Sequence, residues 1–248
     1  MRTWVKAVSV LGVLAFVGSS PVVRGGVVYQ QPSQVGSGSF SGLTSSRLGD
    51  TSDTFFTRDD FQLAADATIT SVAWQGTYLQ YDSVHDTVAN GSPDTLFWNV
   101  SIYTRDNTPG FHFSLVGQSL VGANDPGASR TLAGTTDFLG ATVDYYDFSL
   151  QLEAGVALSA GQTYYLAVYS ISSIDSSNLW SWFSGSGGNG ESYQFVSSEN
   201  QTQVRGGDRT FTLYSDSAAP AVPEPSSLLL AALGAAGVAG LANRRRPR

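Results

Sequence analysis

The chain has 248 residues, a formal net charge of −7, 12% aromatic residues and no cysteine. Because nucleic-acid phosphates are bound by cationic side chains, this acidic composition argues against a nucleic-acid partner. The lack of cysteine excludes disulfides and thiolate metal sites, so a folded domain must be stabilised by an ordinary core.

The N-terminus has the features of a secretory signal peptide. Arg2 and Lys6 supply positive charge, and residues 7–17 form an apolar run of 11 residues, which is too short to span a membrane comfortably. Small residues follow, and we favour cleavage near Gly25. Residues 1–26 are therefore predicted to be a signal helix that is removed, with a retained N-terminal anchor as the alternative.

The predicted mature chain begins with a low-complexity stretch. Residues 27–46 are rich in Ser, Gly and Gln, which predicts a flexible N-terminal arm. Residues 27–221 together carry six arginines, no lysine and 19 aspartates or glutamates. Such acidity favours solubility and a surface that faces cations.

Residues 47–214 show the period-two alternation of β-strands. Trp98, Val100 and Ile102 fall on one face, so we predict that all three lie in the core. Turn residues separate the alternating segments, and the pairs at 154–155 and 160–161 are each predicted to break a strand. The pattern predicts an all-β, antiparallel domain, and of a sandwich and a barrel we favour a jelly-roll-like β-sandwich. The alternating segments are 67–74, 96–104, 146–152, 164–169 and 211–213.

Histidine is scarce, which limits the catalytic chemistry that the chain can support. His85 and His112 are the only two, and His112 stands between Phe111 and Phe113. A Ser-His-Asp triad is defined by geometry, but no Gly-x-Ser-x-Gly elbow supports one here. Most carboxylates are turn aspartates, which ordinarily bond to nearby backbone. We therefore expect no enzyme activity and no catalytic residue, and a secreted hydrolase is the distant alternative.

Oxygen-rich loops make calcium the only cofactor that we consider. Calcium prefers carboxylate and carbonyl oxygens, but no EF-hand spacing is present. An ordinary solvated acidic surface explains the same residues, so we predict no resident metal. The candidate pairs are Asp50 with Asp53, Asp59 with Asp60, and Asp144 with Asp147.

Two tryptophans form a candidate platform for sugar rings. Trp180 and Trp182 precede a glycine-rich segment at residues 184–190, which suggests an exposed loop. Glycan-binding sandwiches stack sugars on exposed Trp and Tyr. The alternative is that both indoles fill the interior, where aromatic side chains bury large areas.

The C-terminal tail combines three features in order. Pro223 and Pro225 flank Glu224 and force an extended segment, after a Ser/Ala/Pro-rich linker at 215–221. Residues 228–242 carry no charge and approach the length of a spanning helix. Basic residues, which stay cytoplasmic by the positive-inside rule, close the chain. They are Arg244, Arg245, Arg246 and Arg248.

This tail closely resembles the PEP-CTERM sorting signal of Gram-negative bacteria, also called the ice-binding protein C-terminal domain. The resemblance covers residues 222–248 and implies recognition by a membrane-embedded exosortase after transit through the secretion machinery. It further implies transient anchoring in the inner membrane, removal of the tail, and delivery to the outer surface or extracellular matrix. Ice binding itself is not expected, because no regular threonine array is present. The motif residues are Val222, Pro223, Glu224, Pro225 and Ser226.

The segments at 68–76, 100–103, 158–168 and 180–182 are similar to a recurring β-sandwich module of exported bacterial proteins. Members of that module mostly lack an assigned activity, so the resemblance supports fold and compartment only. The PEP-CTERM resemblance implies a setting of exopolysaccharide production, so we expect a non-enzymatic structural or adhesive protein linked to exopolysaccharide. The alternative is a glycan-binding module that uses exposed Trp and Tyr.

Overall fold

The computed structural model describes residues 25–37, 41–48, 54–82, 87–106, 110–172 and 178–216. These residues form 16 strands and one 3₁₀ turn at Ser197–Glu199. The strands are β1 (Gly26–Gln31), β2 (Gly42–Thr44), β3 (Ser46–Leu48), β4 (Phe55–Gln62), β5 (Ala67–Asp82), β6 (Thr87–Asn90), β7 (Thr95–Arg105), β8 (Phe113–Gly122), β9 (Ala128–Phe138), β10 (Ala141–Leu158), β11 (Thr163–Ser172), β12 (Asn178–Gly185), β13 (Glu191–Val196), β14 (Gln201–Gly206), β15 (Asp208–Arg209) and β16 (Phe211–Ser215).

A nine-stranded sheet is organised around β5, the second-longest strand. Its main order is β1-β16-β5-β10-β9. One edge of β5 pairs with β10 and then β6, while the other pairs with β16 and then β12. Every pair in this sheet is antiparallel, so the long strand is hydrogen-bonded on both sides along most of its length.

A seven-stranded sheet forms the second layer, in the order β14-β13-β4-β11-β7-β8. Its pairs are antiparallel except for the short β3, which runs parallel to the end of β11. The chain passes from one sheet to the other between β2 and β3 at Ser45. The Ser45 hydroxyl donates to the Val168 carbonyl oxygen and accepts the Thr57 N–H, which satisfies the polar groups of this buried crossing.

Aromatic side chains from both sheets fill the space between the layers. Trp98 of β7 contacts Trp74 of β5, Phe148 of β10 and Trp180 of β12, with ring centroids 5.3, 4.9 and 5.1 Å away. All three contacts are edge-to-face, the geometry that aromatic quadrupoles favour. All four rings are buried, so the two sheets share one continuous core.

The all-β, antiparallel prediction is confirmed, and so is the burial of Trp98, Val100 and Ile102. The jelly-roll connectivity stays a prediction. The predicted strand break at 154–155 is wrong, because β10 continues through it with a register shift between Gln151 and Val156.

The predicted flexible arm at residues 27–46 is wrong along its described length. Residues 26–31 pair with β16, residues 42–44 pair with β12, and Ser45 and Ser46 are fully buried. Short polar side chains suit this path because they satisfy backbone groups at the crossing between the sheets. The predicted signal helix at residues 1–26 lies outside the described residues except for Gly25 and Gly26, and the predicted tail at 222–248 lies wholly outside them. Within the described ranges, no helix is long and apolar enough to cross a membrane.

Replacing Trp182 with alanine should destabilise the domain by about 3–5 kcal/mol, because it would leave a large cavity in the core. Trp182 is fully buried, and its indole N–H donates to the Thr210 carbonyl oxygen at 2.8 Å. Urea unfolding of the full-length protein measures the loss.

Leu132→Ala is the matched control, since Leu132 is 58% exposed and its loss should change stability by no more than about 0.5 kcal/mol. Equal unfolding midpoints for Trp182→Ala and Leu132→Ala would contradict the placement of Trp182.

Candidate functional site

The outer face of the seven-stranded sheet carries an unusual set of side chains. Alternation along β4 turns Thr57 and Phe61 toward the core, and so turns Phe56 and Arg58 outward. Strand register then places Arg58 between Tyr193 of β13 and residue 167 of β11. The middle of this face is therefore built from aromatic rings around a cation.

We call this surface the aromatic–arginine face. Its members come from β4, β7, β8, β11, β13 and the segment before β8, and their rings and guanidinium groups contact one another. They are Phe56, Arg58, Tyr103, Arg105, Phe111, Phe113, Tyr165, Tyr169, Tyr193 and Phe195.

Arg58 is held between two rings. Its guanidinium carbon lies 4.5 Å from the centroid of Phe113 and 5.0 Å from that of Tyr103, within cation–π range. Burial lowers the pKa of Arg58, and its Nε atom is buried without a hydrogen-bond partner. Contact with two rings thus restricts the movement of the guanidinium.

A second cation repeats this arrangement beside the first. The Arg105 guanidinium lies 4.8 Å from the Phe111 ring and 5.6 Å from the Tyr193 ring. Burial raises the pKa of Tyr165, and its hydrogen bond with Arg105 opposes that rise. Tyr165 in turn packs edge-to-face on Phe113 at 5.0 Å, so the two arginine sites share one aromatic cluster.

A groove of about 530 Å³ opens on this face, a size that suits a small-molecule group or a sugar unit. Its walls combine flat apolar rings with one cation and with neutral amide and hydroxyl groups. The lining residues are Arg58, Phe111, Phe113, Phe195, Asn200, Gln201 and Thr202. Among the residues that the structure describes, no carboxylate lines the groove.

Below the face, Asp59 and Arg209 form a buried polar contact that joins the two sheets. Both side chains are fully buried. The Asp59 carboxylate accepts the backbone N–H groups of Arg209 and Asp60. Burial raises the pKa of Asp59 well above its usual range, and the nearby charges of Asp208 and Asp60 raise it further. Burial also lowers the pKa of Arg209 to about 10.

Asp208 holds the glycine-rich loop after β12. Its two carboxylate oxygens accept the N–H groups of Gly188 and Gly190 at 2.9 and 2.7 Å. A Cβ on Gly188 would lie only 2.6 Å from an Asp208 oxygen, so glycine is needed for this approach. The carboxylates of Asp59 and Asp208 are thus engaged by backbone and stabilise the fold.

The predicted sugar platform at Trp180 and Trp182 is wrong. Both indoles are fully buried and pack on each other at 6.4 Å between the sheets. The glycine-rich segment beside them did not indicate exposure, because every residue from Trp180 to Gly185 is buried.

The other candidate positions are dispersed. Asp144 accepts a hydrogen bond from Asn90 and Asp147 accepts one from Gln75, and the odd spacing of the two aspartates puts them on opposite faces of β10. The described residues contain no group of three or more His, Asp or Glu side chains that could hold a metal ion. His112 is exposed. Asp50, Asp53 and His85 lie outside the described residues.

Sequence reasoning missed the aromatic–arginine face, although one signal was present. Tyr165 and Tyr169 occupy the alternate positions of β11, opposite the core residues Leu166 and Val168. Outward-facing positions of a strand usually carry polar side chains. Large aromatic rings there indicate a surface with a role besides core packing. Phe111 and Phe113 around His112 gave the same signal.

A comparison with known families identifies the tail. The model of the PEP-CTERM protein-sorting motif matches residues 221–246, at the C-terminus. The match contains the predicted Pro-Glu-Pro segment and the arginines at 244–246, all outside the described residues. No curated protein and no solved structure matches the chain.

Because its folded-state pKa is raised, Asp59 should make stability depend on pH. The protonated form favours the folded state, so its contribution is complete below the ordinary aspartate pKa of about 3.9 and is lost as pH rises through the raised value. Urea midpoints of the full-length protein should therefore fall over this interval, and Asp59→Asn should reduce that fall.

Asparagine places an NH₂ group against a backbone N–H, so Asp59→Asn should also be less stable at every pH. The slope against pH is therefore the informative quantity. The control Asp137→Asn changes an exposed carboxylate of β9 and should keep the wild-type slope. The same slope in Asp59→Asn and the wild type would contradict the role given to Asp59.

Proposed function

Because this exported protein ends in a PEP-CTERM protein-sorting motif, we propose that it is a non-enzymatic, adhesive component of the extracellular polysaccharide layer. It binds polysaccharide through the aromatic–arginine face. The motif indicates an exosortase-sorted protein. The adhesive role is our further proposal about what the protein does after it has been sorted. What supports a non-enzymatic role is that the buried carboxylates of Asp59 and Asp208 are committed to backbone N–H groups.

The groove on the aromatic–arginine face is the observation that carries the proposal. Sugar rings present apolar C–H faces that pack on aromatic side chains, while their hydroxyls need polar partners at the rim. Phe111, Phe113 and Phe195 supply the first, and Asn200 and Gln201 supply the second. A broad sheet face also suits a polymer, because a long chain can lie across several strands.

Location follows from the tail. We propose transient anchoring in the inner membrane by residues 228–242, recognition of the Pro-Glu-Pro segment by exosortase, and release to the outer surface or matrix of a Gram-negative bacterium. Because the domain is acidic, its surface attracts cations such as calcium, so polymer binding is compared with calcium and with chelator.

The tail should be absent from the mature protein. Intact-mass measurement of protein recovered from the cell surface or medium of its host should give a chain that ends near Pro223–Pro225. Replacing Pro223 and Pro225 with alanine should leave the unprocessed chain in the membrane fraction. Surface protein that still carries Arg244–Arg248 would contradict processing.

Phe113→Ala should weaken binding to the host's own extracellular polysaccharide by about tenfold, or ~1.4 kcal/mol, because it removes a stacking surface from the groove. Binding isotherms with full-length protein purified in mild detergent measure the loss, with calcium and with chelator. Phe111→Ala is the second variant, since Phe111 lies at the edge of the cluster.

Tyr214→Ala is the matched control, because Tyr214 lines a groove on the outer face of the other sheet. It should bind as the wild type does, and urea midpoints show whether each variant is folded. Wild-type affinity in folded Phe113→Ala and Phe111→Ala would contradict the proposed site. A loss of affinity confined to Tyr214→Ala would instead place the binding site on the nine-stranded sheet.

A further inference from the structure

The aromatic–arginine face carries positive charge in a domain that has little of it. Only six arginines and no lysine occur in residues 27–221, against 19 acidic residues. Two of the six, Arg58 and Arg105, lie on the aromatic–arginine face. A cation on this face therefore has the opposite charge to most of the charged groups in the domain.

Of the two cations, Arg58 is the one whose charge is less balanced by nearby carboxylates. The groups that perturb it electrostatically are the phenols of Tyr103 and Tyr169. The carboxylates of Asp60 and Glu191 act instead on Tyr165, the residue that Arg105 bonds. Neither Asp60 nor Glu191 lines the groove.

The geometry of Arg58 suits a planar anion. The guanidinium carbon of Arg58 lies close to two rings, those of Phe113 and Tyr103, and these contacts restrict how the guanidinium can move. A fixed guanidinium fork matches the two oxygens of a carboxylate, and little entropy is lost when they pair. One guanidinium also balances the single charge of one carboxylate.

The remaining lining explains why the carboxylate would belong to a sugar. Phe111, Phe113 and Phe195 offer flat apolar surface, and Asn200, Gln201 and Thr202 offer neutral hydrogen-bonding groups. A small free carboxylate would use Arg58 and leave most of about 530 Å³ empty. A pyranose ring that carries a carboxylate would contact all three groups of lining residues: the Arg58 cation, the aromatic rings and the neutral hydrogen-bonding side chains.

We propose that the groove selects acidic polysaccharide, with the carboxylate of a uronic acid unit on Arg58 and the sugar ring against Phe111 and Phe113. This inference rests on the proposed function and names the chemical class of its ligand.

The test compares the host's extracellular polysaccharide before and after its uronic acids are chemically reduced to neutral sugars. Full-length wild-type protein at about 0.15 M salt, where long-range attraction is screened, should bind the native polymer at least tenfold more tightly than the reduced one. Arg58→Gln should bind both polymers with the same weak affinity. Arg58→Lys keeps the charge but loses the fork, and should fall between.

Arg130→Gln is the matched control, because Arg130 also lies over an aromatic ring, that of Tyr146, but belongs to β9 of the other sheet. It should retain the wild-type preference for the native polymer. If Arg130→Gln lost this preference to the same extent as Arg58→Gln, general charge attraction would explain the binding, and the inference would be overturned.

The remaining outcomes separate this inference from the proposed function. Equal wild-type binding to native and reduced polymer overturns the acidic preference and leaves polysaccharide binding in place. No binding to either polymer overturns both. Self-association in sedimentation experiments that Arg58→Gln abolishes would make the face an interface between copies and would also overturn the inference.

Discussion

The edge-to-face packing of Trp98 on Trp74, Phe148 and Trp180 is the contact on which the sandwich depends. Trp98 comes from the seven-stranded sheet and its three partners come from the nine-stranded sheet, so one side chain joins the layers. In a chain without cysteine, no covalent link can replace it. The neighbouring backbone is adapted to these rings, because a Cβ on Gly76 would lie 2.7 Å from the Trp180 indole nitrogen.

The same residue class serves two purposes on opposite faces of one sheet. Inward rings such as Trp98 hold the layers together, whereas outward rings such as Phe113 hold an arginine in place. The outer cluster depends on the inner one, because strand register sets Arg58 beside Tyr193, and that register is fixed by the buried face. The Asp59–Arg209 contact then joins β4, which carries Arg58, to the other sheet through β15.

Sequence alternation identified the core face of β7, although Asn99 and Ser101 on its other face are buried as well. Trp98, Val100 and Ile102 were predicted to be core because polar residues separate them. The glycine-rich neighbour misled the prediction for Trp180 and Trp182, because β12 is buried on both faces as far as Gly185. Local pattern cannot show that coverage, because it is provided by strands distant in sequence.

Two further results show the same limit. The Ala-Gly pair at 154–155 was read as a strand break, but within a long paired strand it forms an irregularity in register that cross-strand bonding tolerates. The aromatic–arginine face is assembled from six parts of the chain, so no single segment displays it. The tail, by contrast, was identified correctly from sequence because a linear sorting motif needs no tertiary contact to be recognised.

The position of β16 has a consequence for how the chain becomes folded. The last described strand is not at an edge; it lies between β1 and β5 and pairs with both. A chain that is still emerging from a translocation channel lacks this strand, so β1 has no partner to join it to the sheet. The β1 edge of this layer can therefore be completed only after nearly the whole domain has passed. The sorting motif follows β16 in the chain. A truncated product that ends before β16 therefore lacks both this strand and the motif.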